Sequence, residues 1–279
     1  MTTEQFIDLA LQEDLGNGDV TSIACIPNGV KGKAKIIAKE NGIIAGLEYI
    51  SAIGTKLDPN IAIAVHCKDG DAVRIGDCVA EFEGDGKALL SAERLILNIM
   101  QRMSGIATYT HSMVGLIAHT NATLLDTRKT TPLFRPYEKQ AVKIGGGENH
   151  RIGLYDMILI KENHIELAGG IESAILKAKH YRLANNPDLK VEIELKNLEE
   201  VTQALICGSV NRVMLDNFSI EDMAAAVKLI NGKFEVEASG GVTHKTIVAI
   251  AETGVDYISV GALTHSIKSL DLSMLVDLS

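Results

Sequence analysis

The sequence predicts an α/β protein with a small β-rich N-terminal domain and a larger parallel α/β domain of the barrel class. Up to residue 105 the apolar runs are short and β-like, and Gly and Asp residues separate them. Beyond residue 105 strand and helix patterns alternate, and the later strands recur about every 22 residues, the length of one βα unit. Trp is absent and aromatic residues make up only 4% of the chain, so the core must consist of the aliphatic residues that parallel sheets prefer.

The β-rich domain is expected at residues 1–105, and a helix at about Thr3–Glu13 begins it. Three runs in this domain have the length and composition of strands: Lys33–Ala38, Ile43–Ala45 and Ile61–His66. Apolar residues then recur at helical spacing over Ala88–Met103, which predicts a helix at the end of the domain.

The barrel domain is expected at residues 106–279, with its C-terminal tail packing back on the first domain. Its strand candidates are Ala122–Asp126, Met157–Lys161, Val191–Leu195, Arg212–Asp216, Phe234–Ala238 and Asp256–Val260. The helices that fit between the later strands are Gly170–Arg182, Leu198–Cys207, Ile220–Leu229 and Thr243–Thr253. Repeated βα units with short loops imply a parallel sheet with right-handed crossovers that closes toward a barrel. Six units leave open whether the barrel is complete.

Nearly every predicted strand of the barrel domain presents charged residues or a Gly-rich turn near its end. In chain order these are Asp126 with Thr127-Arg128-Lys129, Lys161, Glu192 and Glu194, Asp216, Glu237 with Ser239-Gly240-Gly241, and Gly261-Ala262. Barrels of this class bind their ligands at the C-terminal ends of the strands. So much charge at one mouth of a barrel indicates a ligand site rather than a purely structural arrangement.

Residues 128–161 form a cationic island in an acidic chain. Seven Lys and Arg residues stand against three acidic residues, a local balance of +4 in a chain of net charge −9. Such an island suits a small, highly anionic ligand and not a nucleic-acid surface. The alternatives are a solvated loop for Arg128-Lys129 and a capping or core role for His150. Lys161 closes an apolar strand, where a lysine either extends to solvent or meets an anion, and we favour the anion.

The remaining strand ends predict a metal and a phosphate. Glu192 and Glu194 point to one face of their strand, and carboxylates inside a barrel need a metal, a cation or hydroxyl groups. Together with Asp216 they suit Mg²⁺ and sugar hydroxyls. Ser239-Gly240-Gly241 and Gly261 follow the last two strands, where barrels commonly bind phosphate through backbone N–H groups. These patterns do not by themselves name the reaction.

Composition also bears on the compartment. The N-terminal segment is acidic and lacks the basic region of a signal peptide, and no apolar run approaches the ~20 residues that span a bilayer. The four cysteines are scattered without a CxxC pair, which is typical of free, buried thiols in a reducing cytosol. We therefore expect a cytoplasmic enzyme with no membrane or nucleic-acid partner.

Nine blocks of the chain form a specific pattern in order and spacing. They are Glu13–Gly16, Gly18–Thr21, Asn98–Thr108, Leu125–Thr131, Gly145–Leu154, Leu159–His164, Val213–Phe218, Glu237–Val242 and Gly254–Ser266. With these blocks the chain resembles the quinolinate phosphoribosyltransferase family over essentially its whole length. The family usually has Gly where this chain has Leu133, followed here by Phe134, and Asp is common at the position of Glu162.

The resemblance implies an open-faced N-terminal sandwich, an incomplete α/β barrel and a homodimer. It implies transfer of a phosphoribosyl group from phosphoribosyl pyrophosphate to quinolinate, with Mg²⁺ and with loss of CO₂. The implied quinolinate clamp consists of Arg128, His150, Arg151 and Lys161, with Arg102 supplied by the second subunit. Glu194 and Asp216 are implied to face the ribose and Mg²⁺. The implied phosphate and pyrophosphate contacts are Ser239, Gly240, Gly241 and Gly261 for the 5′-phosphate and Lys129 and His265 for phosphate or pyrophosphate oxygens, and Thr127, Val260 and Ala262 complete the site. The implied catalytic residues are Lys129, Lys161, Glu194 and Asp216.

Two other functions compete with this one. The first is a related enzyme of the same fold that acts on another anionic acceptor, as in the molybdenum-transport-associated relatives, and the complete clamp argues against it. The second is a carrier module, because Gly70–Leu90 looks like a lipoyl- or biotinyl-type sandwich. No lysine in that segment lies in a recognisable modification hairpin, which favours a scaffold role.

Overall fold

The structure is a computed structural model that describes residues 1–277. Its helices are α1 (Thr3–Leu15), α2 (Val20–Cys25), α3 (Leu47–Leu57), α4 (Gly86–Ile117), α5 (Arg135–Ile144), α6 (Glu162–Ala168), α7 (Ile171–Asn185), α8 (Leu198–Cys207), α9 (Ile220–Ile230), α10 (Ile247–Ala251) and α11 (Ala262–His265). Its strands are β1 (Lys31–Ala38), β2 (Gly42–Ile43), β3 (Ala62–Val65), β4 (Ala72–Val73), β5 (Cys78–Asp85), β6 (Thr123–Leu125), β7 (Ile158–Ile160), β8 (Val191–Leu195), β9 (Arg212–Asp216), β10 (Glu235–Ser239), β11 (Tyr257–Ser259) and β12 (Leu272–Asp277).

The chain divides into two compact units that are not continuous in sequence. The N-terminal unit comprises Met1–Tyr109, Pro136–Gly145 and the segment from Ile267 onward, and the barrel unit comprises Thr110–Arg135 and Gly146–Ser266. Residue 105, where the sequence predicts the domain boundary, lies inside α4.

The N-terminal unit is built on an antiparallel sheet with one open face. Its strand order is β12-β1-β5-β3, and β2 pairs separately with β4. Along β1 the side chains alternate between exposed and buried positions, so Ala34 and Ile36 face the core while Lys33 and Lys35 face outward. The C-terminal strand β12 pairs with β1 from Leu272↔Ala38 onward. This arrangement confirms the open-faced sheet that the resemblance implies.

Helix α4 is longer than the helix predicted at Ala88–Met103. It continues to Ile117 because Ile106 and Met113 are fully buried and extend its apolar stripe. Within the N-terminal unit, Ser104 Oγ accepts the Ala45 amide at 2.9 Å. Because the segment 70–90 runs into the first turns of α4, it does not form the carrier-type sandwich considered from the sequence.

The barrel unit is built on a six-stranded parallel sheet of order β6-β11-β10-β9-β8-β7, and all six predicted strands are present in it. Within the described residues the edge strands β6 and β7 do not pair with each other. Instead Leu125 forms an isolated parallel bridge with Glu148, whose amide donates to the Leu124 carbonyl at 2.8 Å. The barrel is therefore incomplete, and the parallel order brings the C-terminal ends of all six strands to one edge.

The predicted helices between the later strands are confirmed as α7, α8 and α9, and the helix predicted at Thr243–Thr253 is present but shorter than predicted. Helix α10 covers only Ile247–Ala251. Before it, the Thr243 amide donates to Thr246 Oγ1 at 2.9 Å, which holds a turn in place of the first helical turns. Helices α5 and α6 form where the sequence patterns predict none.

The structure agrees only in part with what the sequence predicts about the cysteines and the compartment. All four cysteines are free, but none is buried, since Cys25 is exposed and the other three are partly exposed. The expectation of buried thiols is therefore wrong. Among the helices that the structure describes, none combines the length and hydropathy needed to cross a bilayer.

The backbone conformation at Leu133 explains why the family that this chain resembles usually has glycine at that position. Its φ is 64°, in the left-handed region that favours glycine, and its side chain has no core to fill because the residue is 71% exposed. The loop after the TRKTTP motif thus holds leucine in a conformation that costs a non-glycine residue about 1–2 kcal/mol.

We expect Leu133→Gly to raise the free energy of unfolding by roughly 0.5–1 kcal/mol, because relief of the left-handed strain exceeds the added entropy of the unfolded chain. Urea denaturation measures the change as a shift of the midpoint. Leu154→Gly is the matched control, because Leu154 is 72% exposed and has no left-handed φ. Leu154→Gly should lower the midpoint, because it only adds entropy to the unfolded chain. An equal fall of the midpoint for Leu133→Gly would show that the loop carries no strain.

Candidate active site

A cavity of about 860 Å³ lies at the C-terminal ends of the barrel strands. The predicted site residues that line it are Thr127, Arg128, Lys129, His150, Arg151, Lys161, Glu194, Asp216, Ser239, Gly240, Gly241, Val260, Gly261, Ala262 and His265. Arg102 is the predicted site residue that does not line it. Glu237, which the sequence placed at a strand end without a role, also lines the cavity, as do Met214 and Ser259, for which the sequence contained no sign of function.

One wall of the cavity carries positive charges. Burial, and then the neighbouring Arg128 charge, lower the pKa of Arg151. Arg128 Nε is buried and has no hydrogen-bond partner within the described part of the chain. Lys129 and Lys161 line the same cavity. Two guanidinium groups of like charge that line one cavity, one of them partly buried, favour an anion as their ligand.

Two aspartates fix the loops that carry these arginines. Asp126, at the end of β6, is buried and its carboxylate accepts the His150 amide at 2.9 Å. Asp156 accepts the amides of Ile152 at 2.7 Å and Gly153 at 2.9 Å. These carboxylates give hydrogen-bond acceptors to backbone amides of the segment after the triple glycine, which belongs to no helix or strand.

The opposite wall carries carboxylates. Glu194 on β8 forms an ion pair with Lys161, which follows β7. Asp216 ends the adjacent strand β9, and Asn217 donates to it at 2.9 Å. The prediction that a carboxylate inside the barrel needs a cation or metal is met at Glu194 by Lys161.

A charged cluster lies beneath the cavity. His150 Nε2 lies 3.0 Å from a Glu192 oxygen and 3.4 Å from a Glu237 oxygen, and both carboxylates are fully buried. Burial raises the pKa of Glu192. Burial opposes the charge of Glu237 as well, but contacts with His150 and Arg212 outweigh it and lower the pKa of Glu237. Glu237 is therefore the carboxylate of this pair that remains ionised most readily.

Arg212 compensates this cluster, and the sequence analysis did not identify it. Its guanidinium donates to Glu237 at 2.8 Å and to Glu235 at 3.1 Å, and lies 3.8 Å from the centre of the Tyr257 ring. The available signal was the alternation of β9, because Arg212 shares the inward face of that strand with Asp216.

Steric crowding explains the glycines of the Gly-rich turns, because a side chain at these positions would contact neighbouring residues too closely. Gly240 has a φ of 93°, and a Cβ there would lie 2.2 Å from Asn217 Oδ1. A Cβ on Gly261 would lie 3.0 Å from the Lys129 side chain and 3.1 Å from the His265 ring. Glycine at these positions lets the backbone approach the cavity closely, as phosphate sites require.

Arg102 has a different environment. It belongs to the N-terminal unit, where its Nε and Nη2 donate to one oxygen of the fully buried Glu138 at 3.1 and 2.8 Å. The cationic island also divides in the structure. Lys139 and Lys143 lie on α5 in the N-terminal unit, so the whole island does not line one pocket as the sequence analysis expected.

Together, the incomplete parallel barrel and the charged cavity at its strand ends are the features of an α/β-barrel enzyme whose candidate active site lies in that cavity. Residues 19–104 match the model of the quinolinate phosphoribosyl transferase N-terminal domain, and residues 106–275 match that of its C-terminal domain. The chain therefore belongs to the quinolinate phosphoribosyl transferase family.

Individual relatives agree with this membership over nearly the whole chain. The decarboxylating quinolinate phosphoribosyltransferase 2b of Nicotiana tabacum is 44% identical, with 98% of this chain and 82% of the relative covered. The carboxylating nicotinate-nucleotide pyrophosphorylase of Oryza sativa subsp. japonica is 46% identical, with 97% and 76% covered. The solved structure of nicotinate-nucleotide pyrophosphorylase from Francisella tularensis has a TM-score of 0.92 at 43% identity, with 98% of this chain and 95% of that one covered.

We expect Gly240→Ala to lower the free energy of unfolding by about 3 kcal/mol, because it adds a clash with Asn217 to the strain of a left-handed alanine. Gly232→Ala is the matched control, since Gly232 has a φ of 72° and open space around its Cβ position. Gly232→Ala should lower the free energy of unfolding by only about 1 kcal/mol. Equal losses in urea denaturation would mean that Asn217 moves aside freely.

Proposed function

We propose that this protein transfers the phosphoribosyl group of phosphoribosyl pyrophosphate to quinolinate, with loss of CO₂. The products are nicotinate mononucleotide, pyrophosphate and CO₂, a step of NAD biosynthesis. The proposal draws on family membership and on relatives named for this reaction. The observation that carries it is the pair of like charges at Arg128 and Arg151 in the cavity, which a dianion such as quinolinate would neutralise.

The cationic wall is the proposed quinolinate site. Arg128 and Arg151 would each face a carboxylate, where a planar guanidinium can form two parallel hydrogen bonds. Lys161 adds a third positive charge, and its ion pair with Glu194 places it between the two walls. His150 supports this clamp from beneath the cavity.

The Gly-rich turns and the carboxylate wall are the proposed phosphoribosyl pyrophosphate site. Backbone N–H groups of the turns would bind the 5′-phosphate, and Glu194 and Asp216 would face the ribose. The proposed phosphate and pyrophosphate contacts are Thr127, Lys129, Ser239, Gly240, Gly241, Val260, Gly261, Ala262 and His265. This arrangement would bring the ribose between the anion clamp and the carboxylates.

Catalysis then consists mainly of positioning and electrostatic stabilisation. The pyridine nitrogen attacks C1′ of the ribose, and the bond from C1′ to the pyrophosphate oxygen breaks with its electron pair on pyrophosphate. Glu194 and Asp216 stabilise the positive charge that develops on the sugar. The ring nitrogen becomes cationic and stabilises the electron pair that remains when the adjacent carboxylate leaves as CO₂, and that ring carbon then takes a proton.

Mg²⁺ is the proposed cofactor, and the residues present fit it. Glu194 and Asp216 offer hard carboxylate oxygens on adjacent strands at the cavity. Lys161 already pairs with Glu194, so Glu194 and Asp216 would hold Mg²⁺ together with the bound phosphoribosyl pyrophosphate and not alone. Bound there, Mg²⁺ supplies positive charge that stabilises the departing pyrophosphate.

We propose a homodimer in which Arg102 of one subunit completes the cavity of the other. This proposal rests on the family resemblance and on the position of Arg102 outside the residues that line the cavity of its own chain. The cytoplasmic location expected from the sequence stays a prediction, because plant relatives are named as mitochondrial or chloroplastic.

Purified protein should form nicotinate mononucleotide from quinolinate, phosphoribosyl pyrophosphate and Mg²⁺, and should use nicotinate poorly. Nicotinate lacks one carboxylate, so one cation of the clamp would stay unpaired, which predicts a loss of about 100-fold in kcat/KM. Chromatographic detection of the product with each acceptor measures the ratio. Comparable turnover of the two acceptors would contradict the dianion clamp.

The shared site can be tested by complementation. Arg102→Gln keeps a donor for Glu138, and Arg128→Ala removes one half of the clamp; each variant alone should be nearly inactive. In a heterodimer one site carries both lesions and the other carries neither, so random pairing should leave about a quarter of all sites intact. Mass spectrometry verifies the heterodimer. Absence of recovered activity in verified heterodimers would place Arg102 in its own subunit or outside any site.

A further inference from the structure

Both ring nitrogens of His150 are occupied by the protein. The Arg151 amide donates to Nδ1 at 2.7 Å. Nε2 faces the carboxylates of Glu192 at 3.0 Å and Glu237 at 3.4 Å, and only 6% of the side chain is exposed. The ring therefore lines the cavity without directing a free nitrogen at a ligand.

The contacts fix where the ring carries its proton. Glu192 and Glu237 face Nε2 and favour a proton on that nitrogen. Nδ1 accepts the Arg151 amide, so its lone pair is engaged and it carries no proton. A neutral ring with its proton on Nε2 satisfies both sides at once.

The cluster beneath the ring is built to hold it still. Glu192 and Glu237 are fully buried, so neither can turn to solvent. Arg212 fixes Glu237 by donating to the oxygen that also faces His150. A buried acceptor held in this way orients the imidazole, as carboxylates orient histidines in other sites.

Arg151 needs such support because its neighbour repels it. The Arg128 charge lowers the pKa of Arg151, so the two guanidinium groups oppose each other when no anion lies between them. Arg151 donates its backbone amide to His150 Nδ1, and its Nη1 donates over a longer distance, 3.4 Å, to the Met157 carbonyl. Loss of the first would let the guanidinium move away from the clamp.

We propose that His150 is a positioning residue that stands on Glu192 and Glu237 and holds the Arg151 backbone, so that the Arg151 guanidinium faces the acceptor carboxylate. This role differs from the direct carboxylate contact that the family resemblance implies for His150. The inference rests on the proposed reaction with quinolinate. Glu192, Glu237 and Arg212 thereby become positioning residues for the same carboxylate.

A double-mutant cycle separates the two roles. His150→Ala should lower kcat/KM for quinolinate about tenfold, mostly through KM, because an amide loses its buried acceptor. In an Arg151→Ala background the same change should have an effect of less than about twofold, because His150 acts through that guanidinium. Multiplicative losses would show a direct contact between His150 and substrate and would overturn the proposal.

Conservative variants sharpen the cycle. His150→Asn places an oxygen where Nδ1 accepts the amide, so it should recover most of the quinolinate KM lost in His150→Ala. Glu192→Gln keeps an acceptor for Nε2–H and should raise the quinolinate KM less than Glu192→Ala, which should match His150→Ala. His180→Ala, at an exposed histidine on α7, is the control that should leave KM unchanged. Melting curves of every variant exclude unfolding as the cause, and failure of His150→Asn to recover KM would argue against the amide contact.

A spectroscopic readout is independent of activity. Nitrogen-15 NMR of histidine-labelled protein without substrate should show His150 protonated on Nε2 alone at neutral pH, assigned by its absence in His150→Asn. Protonation of Nδ1 would overturn the inference even if quinolinate is the substrate. If wild-type protein does not turn over quinolinate but the ring shows this tautomer, the proposed function fails while the positioning contact stands.

Discussion

The charged interior of the barrel depends on the ion pair between Arg212 and Glu237. A buried carboxylate is costly unless a cation and hydrogen bonds compensate it, and Arg212 supplies both to Glu237 from below. The compensated Glu237 can then face His150 together with Glu192, and His150 in turn holds the Arg151 amide. Each polar group in this chain of contacts is fixed by the one beneath it, and the uppermost group reaches the cavity.

The parallel sheet separates the two kinds of charge at the cavity. The arginines follow β6 or lie in the segment before β7, whereas Glu194 and Asp216 stand on β8 and β9. Lys161 follows β7 between these groups and pairs with Glu194. A site with cations on one side and carboxylates on the other suits a reaction that brings an anionic acceptor to a sugar on which positive charge develops.

Much of the site could be predicted from the sequence, because the strands of a parallel barrel bring their C-terminal ends to the same edge of the sheet. Once the six strands are recognised, their C-terminal residues must lie at one edge, and the residues predicted at Arg128, Lys161, Glu194 and Asp216 do line one cavity. The roles of these residues remain proposals. Arg212 was missed because it begins its strand, and the alternation that places it on the inward face with Asp216 does not reveal which buried carboxylates it compensates.

Local patterns failed where side-chain hydrogen bonds or distant contacts overrule propensity. The segment Thr243–Thr253 has helical periodicity, but Thr246 accepts the Thr243 amide and holds a turn there. The lysines of α5 are close in sequence to Arg128 but fold with the N-terminal unit, because packing and not sequence distance assigns a helix to a core.

The sequence by itself determined the two-part α/β architecture, the strand order along the chain and the excess of charge at one mouth, because periodicity and strand ends are local properties. Only the tertiary structure decided which charges meet. It divided the cationic island between two units, turned both nitrogens of His150 into the protein and placed Leu133 in a left-handed conformation. These outcomes depend on burial and on contacts between residues far apart in the chain, and a linear pattern does not contain them.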